Sequence, residues 1–347
     1  MEEFAPGRQA LAFPSHPPDG RAPSLPNDLE VIPMQWLPFI IAYVGLGIFA
    51  LAVIARILFW SRMPIHLRWE LYPVAHEGKR ARHGGSYLEE GEWWKKPRQV
   101  SLVGELKVMI PEILFLVALR EHNPRLWVRS FPFHLGLYCI AACTLLMMLM
   151  GVAIEISPGI LAGGLGSILD LLVPVAGAIG LVLALAGAAG LLQRRLTAPE
   201  LREFSAKADY WNLALFLVVF GIVFANFLLI DRDFTRVRAL VAGLVTFDAA
   251  KTTGSGVAGI LPAVSMIAMS ALVAYIPLTH MSHFVGKYFA YHAIRWNDAP
   301  NFPGGPQEKK IQGVLSQPVS WAAPHVKADG RKSWVDLATE LPVEPKR

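Results

Sequence analysis

Charged side chains are scarce in this chain. Asp, Glu, Lys and Arg make up 17% of its 347 residues while apolar types make up 54%, where a soluble domain carries about 25% charge. A water-exposed surface for so long a chain cannot be built from so little charge, so an ordinary soluble fold is excluded. Cysteine is nearly absent as well. Cys139 and Cys143 lie four apart inside one apolar run, on one face of one helix, which excludes a disulfide framework. No CxxCH occurs, excluding covalently attached c-type haem, and no CxxC spacing suggests zinc or an iron–sulfur cluster. The first 33 residues lack the apolar core of a cleavable signal and are rich in proline, so they are expected to form an irregular tail, with the first apolar run acting as an uncleaved anchor.

What is present is a set of long apolar runs. Five reach the ~20 residues that carry a helix across ~30 Å of hydrocarbon: 38–59, 131–153, 169–192, 213–230 and 261–284. The fold class expected is an all-α membrane protein, a five-transmembrane-helix bundle with a cytoplasmic loop and tail. The net charge of +5 gathers beside these runs, where membrane topology explains it before nucleic acid does. Arg62, Arg68, Lys79, Arg80, Arg82, Lys95, Lys96 and Arg98 follow the first run and Arg194, Arg195, Arg202 and Lys207 the third, whereas 155–167 has no Lys or Arg. The positive-inside rule therefore puts the N-terminus outside and the C-terminus in the cytoplasm, in a prokaryotic inner membrane. Arg232, Arg236 and Arg238 in the fourth-to-fifth connection run against the rule. The segment 100–119 is apolar but broken by Glu105, Lys107, Pro111 and Glu112; it reads as an amphipathic surface helix, with a sixth span as the alternative.

The chain divides into an outer N-terminal tail (1–37), a membrane domain (38–295) with a cytoplasmic insertion (60–130), and a cytoplasmic C-terminal arm (296–347). The insertion, with Trp93, Trp94, Lys95 and Lys96, is longer than a hairpin requires and suits docking of a partner. The arm is too rich in proline for continuous helix.

Among ten histidines, His134, His280 and His283 lie inside runs, and an imidazole in hydrocarbon is a functional candidate by default. His134 follows the cytoplasmic start of the second run and His283 nears the cytoplasmic end of the fifth, so both stand at similar depth. Two neutral imidazoles facing each other at one depth can axially ligate one haem iron. The plainer reading is that His134 hydrogen-bonds a neighbouring helix. His280, three residues before His283, is open to three roles: the true ligand, a quinone-site group, or a support for the ligand. Gly136 and Ser282 are small enough to let a macrocycle near the backbone. Arg129, Arg194 and Arg195 at the boundary suit haem propionates, although positive-inside charge explains them equally. Glu155 and Asp170, near the outer ends of their runs, suit quinone proton transfer or a solvated helix end. Met147, Met148 and Met150 read as core filler.

Three stretches carry a family resemblance: SFPFHLG from Ser130; LLQRRL from Leu191, followed by Pro199, Arg202 and Asp209; and PLTHMSH from Pro277. In their order they resemble the gamma subunit of respiratory nitrate reductase and the related membrane cytochromes b of sulfite-reductase-associated and heterodisulfide-reductase-like complexes, over roughly residues 38–295. The resemblance implies haem b, quinone or quinol as substrate, and an iron–sulfur or other redox subunit docked on the cytoplasmic side. The family's gamma subunit holds two b haems, each between a histidine of the second helix and one of the fifth. Its cytoplasm-proximal pair falls on His134 and His283. The distal pair falls on Thr144 and near Ser265, which do not ligate iron, so one haem is expected. The alternative is a haem-free anchor or assembly subunit of a respiratory complex. A secondary transporter would show an internal repeat, and the chain shows none.

Overall fold

The computed structural model describes residues 36–62, 102–157, 159–249, 257–286, 303–322 and 326–340. The tail before residue 36, the Trp93–Lys96 patch, and His66, His76, His83 and His292 lie outside the described residues.

Five helices among the described residues are long and apolar enough to cross a membrane. They are α1 (Leu37–Ser61), α4 (Pro124–Ile156), α5 (Gly164–Thr197), α7 (Lys207–Leu229) and α9 (Val257–Tyr275). Between the first two lie α2 (Leu102–Phe115), with Pro111 inside it, and α3 (Val117–His122), joined through left-handed Leu116. The 14 described residues of α2 fall short of the ~20 a span needs. Tyr138 donates to the carbonyl of Ile113 at 2.8 Å and Trp127 Nε1 to that of Phe115 at 2.8 Å, so α2 leans on the start of α4. The short α6 (Pro199–Phe204) turns the chain from α5 to α7.

Small residues set the closest helix pair. A methyl group added to Gly136 would stand 2.4 Å from the backbone nitrogen of Ala184, and one on Gly187 2.4 Å from that of Phe133. In lipid, where apolar contact with tails offers no hydrophobic drive, such close backbone approach is what holds helices together. α4 and α5 therefore run antiparallel in tight contact. Gly136 is spent on this crossing rather than left open to a macrocycle, and Ser282 is buried with its hydroxyl donating to the carbonyl of Thr279 at 2.8 Å. α1 lies parallel to α9: Gly45 abuts Ser270, and Arg56 Nε donates to the carbonyl of Pro277 at 3.2 Å.

These pairings give the bundle a basic end, with Arg62, Arg125, Arg129, Arg194, Arg195 and Lys207, and an opposite end. The fourth-to-fifth connection at the opposite end folds into α8 (Thr235–Thr246), an element the apolar runs alone did not reveal. Asp231 caps it. Buried to 2% exposure, its carboxylate accepts from the backbone nitrogens of Arg236 and Val237, both at 2.9 Å. Phe234 takes a left-handed φ of 59°, a conformation that costs an L-residue about 1–2 kcal/mol; its buried ring fills the slot left by Gly177, where a methyl would meet it at 2.7 Å.

The C-terminal segment is not one continuous helix. It holds α10 (Pro306–Leu315) and α11 (Trp334–Thr339), linked by an antiparallel bridge between Pro318 and Ser333.

Candidate functional site

The fifth span does not continue as a regular helix through its histidines. Pro277 lacks an amide proton and Thr279 adopts extended backbone (φ −113°, ψ −177°), so α9 gives way to two 3-10 turns, Ile276–Leu278 and His280–Ser282. Helical periodicity would put His280 and His283 on nearly one face. The break sends them apart, His280 toward α7 and His283 toward α4.

His134 and His283 come together at the basic end, ring centres 6.3 Å apart and planes at 65°. His134 is half-buried and His283 exposed. His134 Nδ1 lies 2.8 Å from the carbonyl oxygen of Ser130. A carbonyl only accepts, so Nδ1 carries the proton and Nε2 keeps a bare lone pair. That is the tautomer of a metal-ligating histidine oriented by a backbone carbonyl. An imidazole nitrogen stands about 2.0–2.1 Å from a transition metal, with its ring centre on the order of 1 Å behind it; two rings across one metal are thus about 6 Å apart. Donor type, tautomer and spacing fit an iron porphyrin at this place.

His280 has other partners. Its Nε2 lies 3.2 Å from Asp209 Oδ1 and 3.4 Å from Asn212 Nδ2, so this nitrogen has an acceptor beside it when protonated and a donor when bare. Asp209 Oδ2 accepts from the Ala206 amide at 2.9 Å, closing the start of α7, and faces Arg195 Nη1 at 3.3 Å. Arg195 also donates to Ser205 Oγ at 2.7 Å. Buried Asn212 accepts from the Tyr275 hydroxyl at 2.9 Å. Arg195 is thus turned into this network, Arg129 donates to the carbonyl of Arg125 at 2.8 Å, and Arg194 sits in the last turn of α5. Asn212 and Tyr275 were not singled out from sequence. A lone Asn at the edge of an apolar run was the signal available.

The positions expected from the resemblance to match the distal pair, at Thr144 and near Ser265, fare differently. Thr144 and Ser265 both line a cavity of about 500 Å³ between α1, α4, α7, α8 and α9. Their hydroxyls donate to carbonyls four residues earlier, Ile140 at 2.9 Å and Leu261 at 2.8 Å, and neither side chain offers a nitrogen to iron. Met147 and Met148 line the same cavity, and Met150 is buried in the core. Asp170 pairs with Arg238 at the opposite end.

Five spanning helices enclosing such a site define a multi-pass membrane protein. The family model of the nitrate reductase gamma subunit matches residues 120–297, just over half of the chain, and the chain belongs to that family. It is therefore a membrane electron-transfer subunit of a respiratory oxidoreductase, acting with other subunits of a complex. The match begins after α1, leaving the first span outside it. Neither a curated protein nor a solved structure gives a match.

Proposed function

We propose that this subunit holds one haem b between His134 and His283 and exchanges electrons between the quinone pool and an iron–sulfur subunit docked at its basic end. The observation that carries the reading is the 6.3 Å approach of the two imidazoles with His134 Nδ1 committed to the Ser130 carbonyl. Bound there, the haem supplies one-electron redox chemistry, while the protein supplies axial nitrogens, burial and charge. Ser130 fixes the His134 ring and the break at Thr279 turns His283 toward it. Arg129 and Arg194 are the boundary cations left for propionates, since Arg195 is engaged with Asp209.

The basic end faces the cytoplasm of a prokaryotic cell, following the positive-inside rule. The N-terminus is then outside, and the segment containing α10 and α11 forms a cytoplasmic arm beside the insertion after α1.

The test is haem content per purified chain and the reduced-minus-oxidised spectrum. One haem with a b-type band is expected in the wild type, and none in His134→Ala or His283→Ala, with the variants still inserted in the membrane. A wild-type chain without the band would favour a haem-free anchor. A reporter fused after Arg347 that is active outside the cytoplasm would overturn the sidedness.

A further inference from the structure

Resting on the quinone reading above, we infer that the cavity between α4 and α9 is the chamber for the isoprenoid tail of the quinone, with the quinone ring at its basic end, against Asn212 and Tyr275.

The cavity lining is aliphatic, aromatic or thioether apart from Thr144, Ser265 and Ser270, whose hydroxyls each donate to a carbonyl of their own helix, the last to Met266 at 2.7 Å. Among the described residues no ionisable side chain lines it. A polar ring placed in its middle would lose water's hydrogen bonds and gain none in return. An apolar chain meets no such cost. The shape agrees: on α9 the lining runs from Pro262 to Val273, about 16 Å at 1.5 Å per residue, and continues to Ile276 just past its end, while about 500 Å³ lies within the range of ligand sites. The rim carries exposed Leu46 of α1 and Leu145 of α4, so the cavity reaches the lipid-facing surface, the side from which a membrane-dissolved molecule arrives.

Its two ends differ in what they offer a polar ring. At the opposite end the Asp231 carboxylate is held by the first turn of α8 and Arg238 by Asp170. The buried Asn226 Oδ1 there, without a partner among the described residues, is an acceptor that a quinone carbonyl cannot use. At the basic end the lining stops at Phe216 and Ile276. Asn212 is one turn from Phe216 on α7, and Tyr275 adjoins Ile276 on α9. Asn212 is 4% exposed and its amide has a second N–H beyond the one toward His280. His134 lies one turn before Leu137, also in the lining. A ring here sits on the same side of the membrane as the imidazole pair, close to where its electrons are proposed to go.

The test is equilibrium dialysis of the full chain in detergent against a benzoquinone with a ten-carbon tail and against the same ring without it. The tailed compound is expected to bind at least tenfold tighter. Ser265→Trp, which fills the cavity, removes that advantage while ring binding persists, and Met269→Trp repeats the test should the first variant fail to fold. Asn212→Leu weakens both compounds at least fivefold. Equal wild-type affinity for the two compounds, or a tail advantage that survives both fillings, overturns the inference. So does displacement of the tailed quinone by a saturated sixteen-carbon fatty acid at equal concentration, which would make the chamber one for lipid acyl chains. None of these titrations requires iron, so a chain without haem would defeat the proposed electron path and leave this result standing.

Discussion

The space beside α4 and the fifth span has two halves, opposite in chemistry. At the basic end His134 and His283 face each other, and beside them lie the Tyr275–Asn212 and Asp209–Arg195 pairs, with His280 Nε2 between them, able to accept from Asn212 when bare or donate to Asp209 when protonated. Toward the other end the helices stand around an apolar cavity whose lining includes Thr144 and Ser265. The difference is small in sequence and large in consequence. A hydroxyl beside a helix satisfies itself on the carbonyl one turn back, so replacing an imidazole by Thr or Ser removes a ligand without leaving an orphaned polar group. A bundle can lose a metal site this way and keep its fold.

The comparison can be broken most drastically by placing a second imidazole pair in the cavity. Thr144→His combined with Ser265→His is expected to raise haem per chain from one to two, read from the b-type band against protein concentration; an unchanged ratio would show that the cavity cannot host the group. The next largest effect concerns the seam that positions His134. Gly136→Val drives side-chain atoms into the α5 backbone, where nothing can yield, and should lower stability in detergent by about 3 kcal/mol. Gly47→Val, with nothing within 4 Å, should stay within about 0.5 kcal/mol, and comparable melting shifts would refute the seam. At the opposite end, Asp231→Ala strips the cap from α8 and should cost about 1–2 kcal/mol, seen as a lower melting midpoint with haem content unchanged.

The smallest effect lies outside the membrane. Hydrogen bonds from the Ser333 amide and hydroxyl hold the Asp336 carboxyl below its usual range, and the Lys332 and Arg331 amides do the same for Asp329. A folded pKa below the unfolded value gives stabilisation that is present above the unfolded value of about 3.9 and lost as pH falls through the folded one. Protection from amide exchange at Arg331, Lys332 and Ser333 should therefore decline below about pH 4, while that of α4 and α5 does not.

Much of this was written locally. Spanning helices follow from hydropathy alone, because every backbone group in hydrocarbon must be bonded within its own segment, and the runs found by that logic fall within α1, α4, α5 and α7 or differ at their ends by a few residues. The fifth run is the exception. Hydropathy does not register the loss of an amide proton at Pro277 or the extended Thr279, so periodicity placed His280 beside His283. Gly136 was visible as a small residue but not as one facing α5, since a glycine in sequence does not say what it lies against. α8 was obscured by its arginines, although Leu240, Val241 and Leu244 repeat at helical spacing.

The sequence by itself determined the class of protein, the number of spans and the two positions from which an imidazole pair could be made, because solvation by lipid acts on each residue in turn. Only the tertiary structure decided which histidine turns to α4 and which to Asp209, and that an apolar cavity opens beside α4 and α9. Those outcomes depend on where the helices cross and where the fifth one breaks, and both are set by contacts between residues far apart in the chain.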